Sequence, residues 1–169
     1  MPRRKILPLK RRREEKTNYR SRLALLKSGK PRIVIRTTNN NVNLQLVKFE
    51  LKDFKEITEF SYNSKKLSDF GWEYSKKSVP AAYLSGLVFG LLCRKNKIDE
   101  GVVDLGLIRI TKGNKVFGAV RGCLDAKLKI PHSEDNFPSE DRIKGKHISE
   151  EMSKKFSEVK QKILDKYGK

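Results

Sequence analysis

The sequence predicts an α/β fold: a mixed sheet of about four strands with helices mainly on one face, a basic extended N-terminal arm and a C-terminal helix. Three observations carry that expectation. The longest apolar run, Val79-Pro-Ala-Ala-Tyr-Leu-Ser-Gly-Leu-Val-Phe-Gly-Leu-Leu-Cys93, reads as a buried central helix. β-branched runs lie before and after it, and a strand–helix–strand order makes a crossover that brings the flanking strands parallel. The charge is also segregated: 14 of the 39 Lys and Arg fall in residues 1–36, opposed there only by Glu14 and Glu15.

A length of 169 residues suits one domain with tails. The net charge is +19, of which residues 1–36 hold +12. Charge gathered in this way points to a polyanion, and nucleic acid fits it better than a lipid surface. No apolar core follows the N-terminal charges, so no secretory signal is expected. The central apolar run is shorter than the roughly 20 residues of a membrane span, so no transmembrane helix is expected. A basic membrane-surface protein is the third reading, behind a nucleic-acid partner and no membrane. Cys93 and Cys123 stand far apart in apolar helical patterns, as in a reduced cytosolic chain.

Residues 1–16 combine prolines with like charges and read as an extended arm without its own core. Thr17 or Asn18 then caps a short helix with a Tyr19, Leu23 and Leu26 stripe, leaving Arg20, Arg22 and Lys27 off it. Gly29 and Pro31 close that helix. Arg32–Thr38 reads as a strand with Ile33 and Ile35 on one face and Arg32 and Arg36 on the other. The asparagines at 39–41 make a turn. The return strand Val42–Val47 turns Val42, Leu44 and Leu46 inward and Asn43 and Gln45 outward. A third strand is expected near Glu56–Ser61, then a short helix over Ser64–Phe70 and a Gly71-Trp72 turn.

In the central helix, Pro80 suits a first-turn position, and Ala81, Ala82, Ser85, Gly86 and Gly90 thin one side for a close neighbour. Gly101–Ile108 has the apolar character of a buried strand. The basic loop Thr111–Lys115 opens a second helix, Asn114–Leu128, with Val116, Phe117, Val120 and Leu124 as its stripe. Residues 130–147 read as polar loop. Ser149 caps a last helix with the stripe Met152, Phe156, Val159, Ile163 and Tyr167. The organisation expected is a basic arm over 1–16, an RNA-binding α/β domain over 17–130, and a polar loop with the C-terminal helix over 131–169.

Catalytic patterns are weak by comparison. Cys93, Cys123, His132 and His147 lack the short spacings of a zinc knuckle, and each cysteine suits a packed helix face. Asp104, Asp125 and Asp141 are the acids that a metal-dependent nucleic-acid-processing enzyme would require, the alternative reading. No recognisable cluster surrounds them. No glycine-rich phosphate loop occurs. No enzyme activity, metal, cofactor or small-molecule substrate is therefore expected. The nucleic-acid surface is the stronger pattern. Arg3, Arg4, Lys10, Arg11, Arg12 and Arg13 neutralise phosphates without a fixed shape. Tyr19 offers a stacking face, as does Trp72, and Arg20 and Arg22 lie off the Tyr19 stripe as further basic candidates. Arg32, Arg36, Asn43 and Gln45 share a sheet face suited to RNA backbone and exposed bases. Lys112 and Lys115 flank Gly113 at a helix N-terminus, where N–H groups favour an anion. RNA is favoured over duplex DNA because no reading helix or paired half-site module is present.

Several stretches occur together in an order that identifies a family. They are Tyr19-Arg-Ser-Arg-Leu23, Leu26-Lys-Ser-Gly-Lys-Pro-Arg-Ile-Val-Ile-Arg36, Pro80-Ala-Ala-Tyr-Leu-Ser-Gly-Leu87, Asp104-Leu-Gly-Leu107 and Gly122-Cys-Leu-Asp-Ala126. Ile130-Pro-His-Ser-Glu134 and Pro138-Ser-Glu-Asp-Arg-Ile-Lys-Gly145 complete the set. From about Arg11 to His147 the chain resembles the large-subunit ribosomal protein family that binds 5S ribosomal RNA, numbered eighteen, or five in the older eukaryotic scheme. The short tail resembles the archaeal branch. The resemblance implies a structural, RNA-binding role in the cytoplasm, within the central protuberance of the large subunit. Its implied partners are 5S rRNA, large-subunit rRNA and the neighbouring 5S-binding ribosomal protein. The arm, the Arg32/Arg36 strand and the Thr111–Lys115 loop would face 5S RNA, and Arg142 and Lys144 in the last motif join the candidate contacts. Asn39, with Asn40 and Asn41, stands where relatives often carry a basic residue. A polar contact from Asn39, rather than a strong phosphate contact, is therefore expected at this turn.

Overall fold

The computed structural model describes residues 7–168 except Leu51 and Phe54. Four strands form one sheet in the order β3-β2-β1-β4: β1 (Arg32–Thr37), β2 (Val42–Glu50), β3 (Lys55–Asn63) and β4 (Val102–Asp104). β1 and β2 make the expected hairpin, with Ile33 opposite Leu46 and Ile35 opposite Leu44. The alternation works as read: Ile33, Ile35, Val42, Leu44 and Leu46 are all fully buried on the inner face. A bulge at Leu46/Val47 shifts the β2–β3 register and lets both strands run longer than the sequence suggested.

The central helix α3 (Val79–Lys95) follows a 3-10 segment over Ser64–Phe70, with the Ser78 hydroxyl accepting from Ala81 N and Pro80 in the first turn. It covers the inner face and returns the chain to β4, which pairs parallel with β1 through Arg32↔Val102 to Val34↔Asp104. The expected crossover is therefore present. The strand after it is shorter than expected. The apolar run continues to Ile108, yet pairing stops at Asp104, whose carboxylate accepts from Gly106 N at 2.9 Å. Gly106 takes a φ of +69°, which glycine adopts at little cost, and the chain turns away. Leu107 and Ile110 are left exposed.

Helix α4 (Lys115–Asp125), capped by Asn114, packs along the small-residue side of α3. Its inward face is Val116, Ala119, Val120 and Cys123 with Gly118 and Gly122, so Phe117 and Leu124 of the expected stripe are only half-buried. The segment over 130–147, expected to be polar loop, holds two ordered elements instead. Glu134–Asn136 forms a 3-10 turn and α5 (Glu140–Lys144) a short helix that buries Ile143. Helix α6 (Glu150–Tyr167) is capped by Ser149 and buries Met152, Phe156, Val159 and Ile163 as read, against α3, α5 and the 3-10 segment. With α3, α4 and α6 on the inner side, α2 (Tyr19–Lys27) and the arm are the described elements that lie over the outer face of the sheet. Among the described residues no helix is long and apolar enough to cross a membrane.

Candidate nucleic-acid interface

The outer face of the sheet is built around arginines that meet two carboxylates. Asn18 caps α2 by accepting from Ser21 N at 3.2 Å. The helix then turns Arg22, Leu25 and Leu26 toward the protein and leaves Leu23 53% exposed, so the expected Tyr19–Leu23–Leu26 stripe is not its docking face. Arg22 reaches Glu56 of β3 in a forked pair, with Nε 3.1 Å from Oε1 and Nη2 on Oε2. Arg32 on β1 lies between two acids. Its Nη2 is 2.6 Å from Glu56 Oε1, and its Nη1 donates to Asp104 Oδ2 at 3.1 Å. Arg36 donates Nη2 to Asp104 Oδ1 at 3.0 Å and Nη1 to the Asp104 and Ile35 carbonyl oxygens at 2.6 and 2.9 Å. Four elements meet in this one network.

Charge at each position follows from these contacts. Arg32 is 5% exposed, and a buried guanidinium is tolerated only when paired. It sits on the expected face but offers no free charge, so its role is to tie the sheet to both carboxylates. Burial pushes the Glu56 carboxyl up, but the Arg22 hydrogen bond and the charges of Arg32 and Arg22 outweigh it, holding its pKa below the ordinary value. The Glu56 hydrogen bond likewise raises Arg22. Arg36 differs. Its side chain is 42% exposed, so it is fixed in orientation yet still reaches solvent.

Between α2 and the sheet runs a groove of about 780 Å³, with Arg11 and Lys16 at its rim and Val34, Gln45, Val47 and Thr58 on its floor. The arm is less extended than expected: Lys10–Arg13 makes one helical turn, α1, with no buried side chain. Arg11 Nε donates to Thr17 Oγ1 at 2.9 Å, folding this turn back toward α2. Tyr19 is half-buried beside Arg12, exposed Arg20 and Leu107, around a second hollow of about 670 Å³. Arg3 and Arg4 lie outside the described residues. Trp72, the other stacking candidate, is 1% exposed and belongs to the core.

Other candidates cluster apart from the groove. Gly113, at a φ of +72°, donates its N–H to Asn136 O at 3.0 Å and fixes the loop carrying Lys112 and Lys115. Arg142 leans over that loop, with Nη1 3.8 Å from where a Gly113 Cβ would stand. Lys112, Lys115 and Arg142 thus gather at the start of α4. Lys144 does not join them; it pairs with Glu140 at 3.0 Å. Asn43 accepts from Asn63 Nδ2, and Asn39 is exposed in the hairpin turn. Sequence reasoning missed Glu56 altogether, since nothing in a strand of alternating polarity marks a partner 34 positions away on α2. Asp104, weighed there as a nuclease acid, is an arginine anchor. Among the described residues no group of three or more His, Cys, Asp or Glu is placed to hold a metal ion.

The fold and this surface define a basic α/β scaffold, its exposed positive charge borne on an arm, a docked helix and one loop. Similarity to known proteins gives that class its family. The model of the family described as ribosomal large subunit proteins 60S L5 and 50S L18 matches residues 3–101 and 93–133. A protein called large ribosomal subunit protein uL18 in Korarchaeum cryptofilum is 43% identical over 140 residues, 83% of this chain and 71% of its own. One of the same name in Natronomonas pharaonis is 46% identical over 144 residues, 85% of this chain and 77% of its own. The chain belongs to this family of large-subunit ribosomal proteins. It is accordingly a structural, non-enzymatic constituent of the cytoplasmic large ribosomal subunit, which overturns the processing-enzyme alternative.

Proposed function

We propose that this protein binds 5S rRNA and helps anchor it in the central protuberance, beside large-subunit rRNA and the neighbouring 5S-binding ribosomal protein. The observation that carries the reading is the outer face itself: Arg11 and Lys16 supply charge at the rim of a groove into which Arg36 and Gln45 bring fixed hydrogen-bonding groups. Charge alone binds any polyanion, whereas positioned donors over a sheet read exposed bases and bent backbone. Lys10, Arg12, Arg13 and Arg20, all exposed, contact phosphate directly, and Arg3 and Arg4 of the sequence are further contacts of the same kind. Arg36 projects from the groove, Tyr19 stacks at its end, and Lys112, Lys115 and Arg142 form a second contact. Arg32 supports the others from beneath. The test is binding to 5S rRNA against excess bulk duplex RNA across a salt series. Binding that survives the competitor near physiological salt is the expected result; equal loss for every polyanion would overturn a shaped 5S site.

A further inference from the structure

We propose that Glu56 and Asp104 are the residues that set RNA selectivity at this face, by holding Arg22, Arg32 and Arg36 in one fixed array and withholding most of their charge. The inference rests on the 5S-binding reading. Three guanidiniums beside two carboxylates leave one net positive charge where three would otherwise face the groove. Free arginines would bind any duplex through counterion release, which carries no sequence or shape information. A guanidinium locked by several hydrogen bonds presents its remaining face in one direction and so recognises geometry. Arg36 is in that state, with three bonds to the Asp104 carboxylate and to the Asp104 and Ile35 carbonyls while its side chain remains 42% exposed. Gly106 serves the same arrangement: a Cβ there would stand 3.0 Å from Arg36 Cζ, so glycine clears the path of the guanidinium. Glu56 does the corresponding work on β3, holding Arg22 of α2 and Arg32 of β1 on one carboxylate.

The experiment compares full-length wild type, Asp104→Asn and Glu59→Gln for binding to 5S rRNA and to a bulk RNA duplex across a salt series. Glu59 pairs with Lys48 away from the arginine cluster, so its substitution removes the same charge without touching Arg22, Arg32 or Arg36. Glu59→Gln is expected to raise both affinities together. Asp104→Asn is expected to steepen the duplex salt slope by about one unit. It should also lower the 5S-to-duplex affinity ratio by roughly tenfold, the low end of what one charge-assisted hydrogen bond contributes. An Asp104→Asn ratio equal to that of Glu59→Gln would overturn the proposal, because added charge alone would then explain the variant. Should Asp104→Asn fail to fold, Glu56→Gln makes the same comparison at a carboxylate whose side chain is 24% exposed. A wild type without preference for 5S rRNA would instead sink the parent reading.

Discussion

A Cβ built on Gly86 would lie 2.0 Å from the carbonyl oxygen of Ala119, and one on Gly122 would lie 2.2 Å from that of Tyr83. Each glycine thus admits the other helix's backbone, and Cys123 Sγ donates to Gly86 O at 3.3 Å in the same seam. Helix propensity pulls the other way, favouring alanine over glycine by about 1 kcal/mol. The steric clash wins here, because the obstructing atoms are backbone and no side-chain rotation relieves them. Forcing a methyl into a packed seam costs about 1–3 kcal/mol or more. Gly86→Ala should therefore lower Tm by several degrees, at about 2–4 °C per kcal/mol for a chain of this size. A thermal melt decides it, and a Tm unchanged or raised would mean the helices do not meet as described. The seam also explains the cysteines: burial pushes the Cys93 pKa up to about 12 and that of Cys123 well above its ordinary value, so both are packing groups.

Among the elements, α2 depends most on a single charged contact. It has no fully buried residue, and among the described residues its ion pair to the sheet is Arg22 with Glu56. Glu56 has its folded pKa below the ordinary 4.5. A depressed carboxylate contributes stability that is fully present above the unfolded pKa and vanishes as pH falls through the folded one. Hydrogen exchange of the α2 amides should accelerate, relative to the intrinsic rate, as pH drops below about 4.5 in the wild type. In Glu56→Gln those amides should be weakly protected at all pH values, with little further change on acidification; equal acid sensitivity in both proteins would detach α2 from Glu56. This dependence is also why α2 is legible only in part from its sequence. Its boundaries follow from Asn18 and Gly29, but the buried face is chosen by Glu56 of β3, so Arg22 turns inward and Leu23 outward against their hydropathy. The α6 stripe is fully legible because packing alone decides it. The strand after α3 is half legible: its apolar residues predict pairing to Ile108, while Asp104, bonded to Arg32, Arg36 and Gly106, ends it.

For the molecule as a whole, the charge gradient visible in the sequence becomes a spatial one among the described residues, because Arg11 and Lys16 of the arm line the sheet face that α3, α4 and α6 leave open. The core side and the basic side are thereby separated, and the arm can give up its charge without cost to the core. Lys10–Arg13 buries no side chain, and Arg11 is tied to the domain through Thr17 by one exposed hydrogen bond for which water competes. Replacing Arg11, Arg12 and Arg13 together by glutamine should therefore leave Tm nearly unchanged. Binding should respond differently. Removing one arginine–phosphate pair flattens the plot of log affinity against log salt by roughly 0.7–0.9, so three fully engaged arginines account for about two to three units. The two readouts must separate: a flattened slope with an intact melt assigns the arm to RNA, since a shaped groove persists beneath it. An unchanged slope would move the electrostatic work to Lys112, Lys115 and Arg142 at the start of α4, leaving the +12 of residues 1–36 with no part in holding phosphate through these three arginines.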